Sequence, residues 1–166
     1  QASKCGTWVE HFPGNLRWSN ATQIVKGMAP WSAVALEEID RVGQRMQARL
    51  SRGDNQDTVW REEWCAMAAW CEKQADLAVS KGRQKTAGNF YLRAGNYYYS
   101  GERFVPPGEE KMAIYNKALR CYRAGLERRH PNIERVDVPY ENTALCAYFM
   151  KAPGVSGRVP TVVLFD

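Results

Sequence analysis

The chain has 166 residues, of which 45% are hydrophobic, 25% charged and 11% aromatic. That balance excludes a disordered chain, and at this length a fold buries roughly 70% of the surface its unfolded chain exposes, so no disulfide or metal staple is required. The net charge is +5, with +6 on residues 1–131 and −1 on the remainder, and no like-charged block occurs, which argues for a solvated helical surface and against nucleic acid as a partner.

No window approaches about 18 uninterrupted apolar residues, and the start Gln1-Ala2-Ser3-Lys4-Cys5 has no signal-peptide stretch, so a cytoplasmic protein without a membrane partner is expected. Cys5, Cys65, Cys71, Cys121 and Cys146 form no C-x-x-C pair and read as reduced core thiols.

After an aromatic start containing Trp8 and Phe12, residues 15–26 predict a short helix that ends near Gly27 and Pro30. A second helix is expected over 30–51, with Val34, Ala35, Ile39, Val42, Met46 and Leu50 on one face and Glu37, Glu38, Asp40, Arg41, Arg45 and Arg49 largely opposite. Asp57 or Thr58 can cap the third helix, which runs to about Ser80 with Trp60, Trp64, Met67, Cys71, Ala75 and Ala78 as its stripe. Trp60, Trp64 and Trp70 are assigned to core or subunit contact. The fourth helix, over 84–100, mixes small residues (Ala87, Gly88, Ala94, Gly95) with aromatic ones, as close helix packing requires. A rigid connector at Pro106-Pro107-Gly108 precedes the fifth, over 109–129, with Met112, Tyr115, Ala118, Leu119, Tyr122 and Leu126 expected inward.

The period then changes from helical to twofold. Residues 133–138 and 144–150 alternate about a turn at 140–143, which predicts an antiparallel pair. Thr161-Val162-Val163-Leu164-Phe165 does not alternate and reads as a third strand, buried on both faces.

The chemistry-bearing patterns are few. The sequence has no G-x-S-x-G, no P-loop, no GxGxxG and no metal-spaced His or Cys set. Of the two histidines, His130 ends a helix, where the dipole favours a cation. His11 sits in His11-Phe12-Pro13-Gly14-Asn15-Leu16-Arg17-Trp18, which mixes aromatic and polar groups as a pocket wall does, although a structural role fits it better. Residues 85–129 also mimic the small-and-aromatic alternation of tetratricopeptide hairpins, which would make a non-catalytic interaction domain; no 34-residue repeat recurs upstream.

One resemblance covers the chain from about His11 onward. Thr86-Ala87-Gly88-Asn89-Phe90-Tyr91-Leu92-Arg93-Ala94-Gly95-Asn96-Tyr97-Tyr98, Gly101-Glu102-Arg103-Phe104, Ala113-Ile114-Tyr115-Asn116-Lys117-Ala118-Leu119, Val136-Asp137-Val138-Pro139-Tyr140-Glu141-Asn142-Thr143 and Pro160-Thr161-Val162-Val163-Leu164-Phe165-Asp166 occur in that order. The series resembles the α/β-hydrolase family that includes 2,6-dihydropseudooxynicotine hydrolase, the Ayg-type polyketide-shortening hydrolases and the FrsA-like esterases.

The resemblance implies a mainly α lid, or substrate-binding domain, over 1–131. Residues 132–166 would then be the first three strands of an α/β-hydrolase sheet: two antiparallel and a third buried. It further implies a cofactor-free serine hydrolase without metal, which cleaves a C–C bond of 1,3-dicarbonyl type or an ester in an aromatic or polyketide-like molecule. Asp166 would stand at the oxyanion-hole loop, with the Ser, Asp or Glu, and His expected beyond it, so this chain alone should be inactive. The partners implied are a small-molecule substrate, the remainder of the hydrolase domain and a second copy of the chain in a homodimer. If the helical part is a lid, the substrate-facing residues are Arg17, Trp18, Met28, Trp31, Tyr91, Asn96, Tyr97, Tyr98, Arg103 and Phe104. The run Tyr97-Tyr98-Tyr99 points in three directions, so at least one hydroxyl should reach a polar partner or ligand.

Overall fold

In the computed structural model, which describes residues 10–164, Asn15 closes the irregular start by accepting a hydrogen bond from the Trp18 amide through its Oδ1. This is ordinary N-capping, and it starts α1 at Leu16–Lys26. Cys5, Trp8, Phe165 and Asp166 lie outside the described residues. The chain divides into two compact units, Gln1–Arg129 and His130–Asp166.

The second helix starts later than its periodicity predicts. Ala29–Trp31 form a single 3-10 turn, Ser32 turns left-handed at φ 59°, and α2 spans Leu36–Leu50. Pro30 does occupy a first-turn position, but of the short turn, because the left-handed Ser32 breaks the helical path. Ile39, Val42 and Met46 are fully buried as expected, whereas Glu38, expected on the opposite face, is buried too. Asn55, and not Asp57 or Thr58, caps α3 (Gln56–Ser80), its Oδ1 taking the Thr58 amide. The expected stripe from Trp60 to Ala78 is buried throughout. Trp70 is on the outer face and 40% exposed.

α4 (Gln84–Glu102) and α5 (Glu109–Arg129) complete the helical unit. α4 packs along both α3 and α5. Both pairings are antiparallel: near one end of α4 Gly101 meets Cys65, and nearer the other Tyr91 meets Asp76. Gly88 likewise meets Arg129, while Gly95 meets Ala118 and Tyr122. The expected inward face of α5 needs correction. Ile114, Ala118, Cys121 and Gly125 are buried, while Met112 and Tyr122 are exposed. Small residues win that interface because a glycine-bearing α4 comes too close for larger ones.

An aromatic chain runs through the core. Ring centroids are 5.1 Å apart for Phe12 and Trp18, 5.6 Å for Trp18 and Trp60, 5.5 Å for Trp60 and Trp64, and 5.7 Å for Trp64 and Tyr97. Such tilted and edge-on pairs add about 0.5–1.5 kcal/mol each beyond area burial. Cys71 and Cys121 are buried and Cys65 is half-buried, but Cys146 is exposed on the hairpin, against the expectation of a core thiol.

The second unit is a hairpin. β1 (Ile133–Tyr140) pairs antiparallel with β2 (Thr143–Met150) in a register from Ile133 opposite Met150 to Tyr140 opposite Thr143. Glu141-Asn142 is therefore a two-residue loop, with Glu141 at φ 49°. The expected third strand is not seen. Residues 161–164 form no ladder, and Val162 and Leu164 are 82% and 88% exposed, since a run apolar on both faces needs neighbours on both sides and the described residues supply none.

Candidate functional site

The ten residues expected to face a substrate all belong to the helical unit, and the fold sorts them into groups. Arg17 on α1 and Phe104 just beyond α4 come together. The Arg17 guanidinium lies 3.8 Å from the Phe104 ring centroid while its Nη1 donates to Asp57 Oδ1 at 2.9 Å. Phe104 packs tilted against Trp60, ring centroids 4.8 Å apart, and the Trp60 Nε1 donates to the Ser100 carbonyl at 2.8 Å. Arg17 is thus an exposed guanidinium held over an aromatic face and ion-paired with Asp57, an arrangement whose other N–H groups suit a neutral carbonyl. Trp18 lies beneath it in the core, 1% exposed, its Nε1 without a hydrogen-bond partner among the described residues. Arg103, next to Phe104, is half-buried and its Nε also lacks one.

Asn96 and Tyr97 act on a different segment, the loop 28–35. Asn96 Nδ2 donates to the Ala33 carbonyl at 3.0 Å, and the Tyr97 hydroxyl accepts from the Ala35 amide at 2.9 Å. That hydroxyl donates to Glu38 Oε2 at 2.6 Å, and Arg93 Nε lies 3.2 Å from the same oxygen. The carboxylate is buried yet bonded and ion-paired, as a charge in that position must be. Burial chiefly, and then the Glu38 carboxylate, push the Tyr97 hydroxyl well above its ordinary range, against the Ala35 amide. It therefore keeps its proton and serves as a bridge between α2 and α4. What the bridge holds in place is the loop carrying Met28, which packs against the core, and Trp31, whose indole is 81% exposed. Tyr97 itself is wholly buried.

Tyr98 and Tyr91 bind carboxylates of α3. The Tyr98 hydroxyl donates to Glu72 Oε2 at 3.0 Å, and Arg120 of α5 pairs with the other Glu72 oxygen. Tyr91 donates to Asp76, with Arg128 over its ring at 5.1 Å. Burial first, then Asp76, raise the Tyr91 hydroxyl to about 12, and burial first, then Glu72, push the Tyr98 hydroxyl well above its ordinary range. Two members of the Tyr97-Tyr98-Tyr99 run reach polar partners, and Tyr99 is turned outward. Burial also pushes the Cys71 thiol to about 12 and those of Cys65 and Cys121 to about 11. None is a thiolate nucleophile at neutral pH.

His11 is built into the packing. Lys26 Nζ donates to its Nδ1 at 2.7 Å, and its Nε2 fills the space beside Gly43, where a Cβ would lie 2.6 Å away. Burial and then the Lys26 charge lower its pKa, with Asp40 opposing. No group of three or more His, Cys, Asp or Glu side chains among the described residues could hold a metal ion, and no helix among them is long and apolar enough to cross a membrane.

Reading by periodicity missed Glu38, Arg93 and Asp57. For Glu38 a signal existed, because it falls in the i, i+4 series of Val34, Val42 and Met46. Asp57 and Arg93 gave none, since their partners Arg17 and Glu38 lie far off in the chain.

No family model matches the sequence. The chain is similar to an alpha/beta hydrolase, xenA, of Xenoacremonium sinensis, at 27% identity over 72% of this chain and 28% of that protein. It is similar to the alpha/beta hydrolase ucsC of an Acremonium species at 24% identity over 83% of the chain and 28% of the relative. For the hydrolase LUC6 of a Fusarium species the figures are 29% identity, 70% and 29%. The chain thus spans less than a third of the length of the curated relatives it matches. These distant relatives carry the names alpha/beta hydrolase or hydrolase, and the chain is similar to part of each.

Proposed function

We propose that the chain is part of a serine α/β hydrolase. It would cleave a C–C bond of 1,3-dicarbonyl type or an ester in an aromatic or polyketide-like small molecule, with the helical unit as the substrate-facing lid. The observation that carries this reading is the similarity to ucsC. Its 83% share of the chain is larger than the 129 residues of the helical unit can supply, so the likeness runs past the helices into the residues after Arg129. The tetratricopeptide-type alternative has no such support.

In this reading the nucleophile, acid and His come from polypeptide beyond Asp166, and no cofactor takes part. The reaction needs backbone donors at about 2.7–3.1 Å from the oxyanion and a water-poor cavity. The helical unit supplies surfaces suited to the second need. Trp31 offers a large aromatic face, and Arg17 over Phe104 offers a cation that would attract the carbonyl end of a substrate. Asn96, Tyr97 and Glu38 are positioning residues that hold the Trp31 loop. Trp18, Tyr91 and Tyr98 support the walls through the core and through α3.

The test is to join the chain to polypeptide matching the rest of the relatives' length and to assay an aryl 1,3-diketone and an aryl ester. One of the two should be hydrolysed, and Trp31→Ala should lower kcat/KM about tenfold with an unchanged melting temperature. Hydrolysis of neither would overturn the hydrolase reading. Wild-type kinetics in Trp31→Ala and Arg17→Met would overturn the lid reading.

A further inference from the structure

The charges of the helical unit are unevenly spread once it is folded. Where α3 starts and α4 ends, cations are matched: Arg17 with Asp57, Arg61 with Glu110, Lys111 with Glu102, and Arg49 with Asp54, Glu62 and Glu63. At the opposite end α3 stops, α4 starts and α5 stops, and there the fold gathers Lys81, Arg83, Lys85, Arg128 and Arg129. The α3–α4 turn holds the first three, its Arg83 amide donating to the Ala78 carbonyl at 2.9 Å. Gly88 admits the other two against the first turns of α4, since a Cβ there would lie 3.0 Å from Arg128 Cβ and 2.7 Å from Arg129 Cγ. The sequence shows no like-charged block because these five residues come from two separate segments.

Arg128 is held in one orientation. Its guanidinium lies 5.1 Å from the Tyr91 ring centroid, its Nη1 donates to the Ala124 carbonyl at 2.9 Å, and Tyr91 is itself fixed by its bond to Asp76. The Arg128 Nε has no hydrogen-bond partner among the described residues. A guanidinium positioned in this way offers its free N–H groups to a carboxylate while losing little further side-chain freedom. Lys81, Arg83 and Lys85 are exposed, and none of the five cations forms an ion pair among the described residues. Local neutralisation is weak: the first turn of α4 has no acidic residue, and the Asp76 carboxylate already takes the Tyr91 hydroxyl, which leaves Glu127.

We propose that this end of the helical unit is a docking surface for an acidic segment of a partner protein, with the oriented Arg128 as its anchor and Lys81, Arg83, Lys85 and Arg129 around it. The cations stand on three helix ends, so the surface suits a ligand with several negative charges and exceeds what one phosphate can use. Protein carboxylates fit it better than nucleic acid, because the Tyr91 ring lies under Arg128 and is not offered for base stacking. α4 has 19 residues and is about 28 Å long. This surface is at its start and Phe104 lies beyond its end, so a partner docked here does not compete with a small molecule at Arg17 and Phe104.

Fluorescence anisotropy of a labelled glutamate-rich peptide titrated with the chain tests this. The peptide should bind with micromolar affinity that falls about tenfold between about 50 and 300 mM salt, and its glutamine counterpart should not bind. Arg83→Glu, at an exposed position, should weaken binding about tenfold with unchanged helical circular dichroism. Arg128→Lys, which keeps the charge and loses the planar fork, should weaken it as well. Arg52→Glu makes the same change of charge on the turn between α2 and α3 and should leave binding as it is. An equal loss in Arg52→Glu would mean that binding follows net charge, and would overturn the proposal. Absence of peptide binding at low salt would overturn it too, and so would tighter binding of a single-stranded RNA oligonucleotide of equal charge, which marks a nucleic-acid surface.

Discussion

Tyr97 shows how one side chain can carry a fold. Its hydroxyl sits between the Ala35 amide and Glu38, so Tyr97→Phe takes the acceptor from a half-buried amide and a donor from a buried carboxylate. The expected loss is about 1–3 kcal/mol, read from urea denaturation. His11 sets a pH dependence. Its folded pKa lies below the ordinary 6.5 because of burial and Lys26, so below about pH 6.5 the unfolded chain binds the proton that the folded chain refuses. This contribution to stability is complete above that pH and is lost as pH falls from there toward the lowered folded value. The urea midpoint of the wild type should drop between about pH 7 and 5 by more than that of His11→Gln; equal drops would place the titration elsewhere. The aromatic membership of the core was legible, Trp60 and Trp64 above all, because bulky residues at helical spacing have few other places to go. The burial of Glu38 was hinted at by its place in the series of Val34, Val42 and Met46, but its partner was not legible, because that partner is a tyrosine 59 residues away.

The contact between α4 and α5 shows what glycine does at the scale of an element. A Cβ at Gly125 would lie 2.7 Å from Leu92 Cγ and 2.9 Å from the Leu92 backbone nitrogen. Gly125→Ala gains about 1 kcal/mol of helix propensity, but the backbone of α4 must move to admit it, and overpacking of this kind costs about 1–3 kcal/mol. A net fall in melting temperature is expected by calorimetry, and a rise would mean that the two helices separate easily. Existence and order of the helices were readable from period, caps and breakers, and α5 appeared at its predicted bounds. The face it turns inward was not readable. Two stripes of comparable hydrophobicity compete on that helix, and the choice depends on how closely a glycine-bearing neighbour approaches.

At the scale of the whole molecule the two units differ in self-sufficiency. The helical unit holds the aromatic core, while no residue of β1 or β2 is buried. A lone two-stranded hairpin is marginal in water. Residues 1–129 expressed alone should therefore unfold cooperatively with the helical signal of the whole chain, and residues 130–166 should lack ordered strand signal. A non-cooperative helical fragment would show that its core needs the hairpin. The sequence by itself determined the division into helices and strands, the hairpin and the aromatic core, because each rests on a period or turn chemistry written within a few residues. Only the tertiary structure decided which stripe of α5 is inside, where Glu38 and Arg93 find their charges, and that Tyr97 supports the Trp31 loop from within. Those outcomes depend on groups brought together from distant parts of the chain, and burial, the force that makes them matter, exists only once the helices have met.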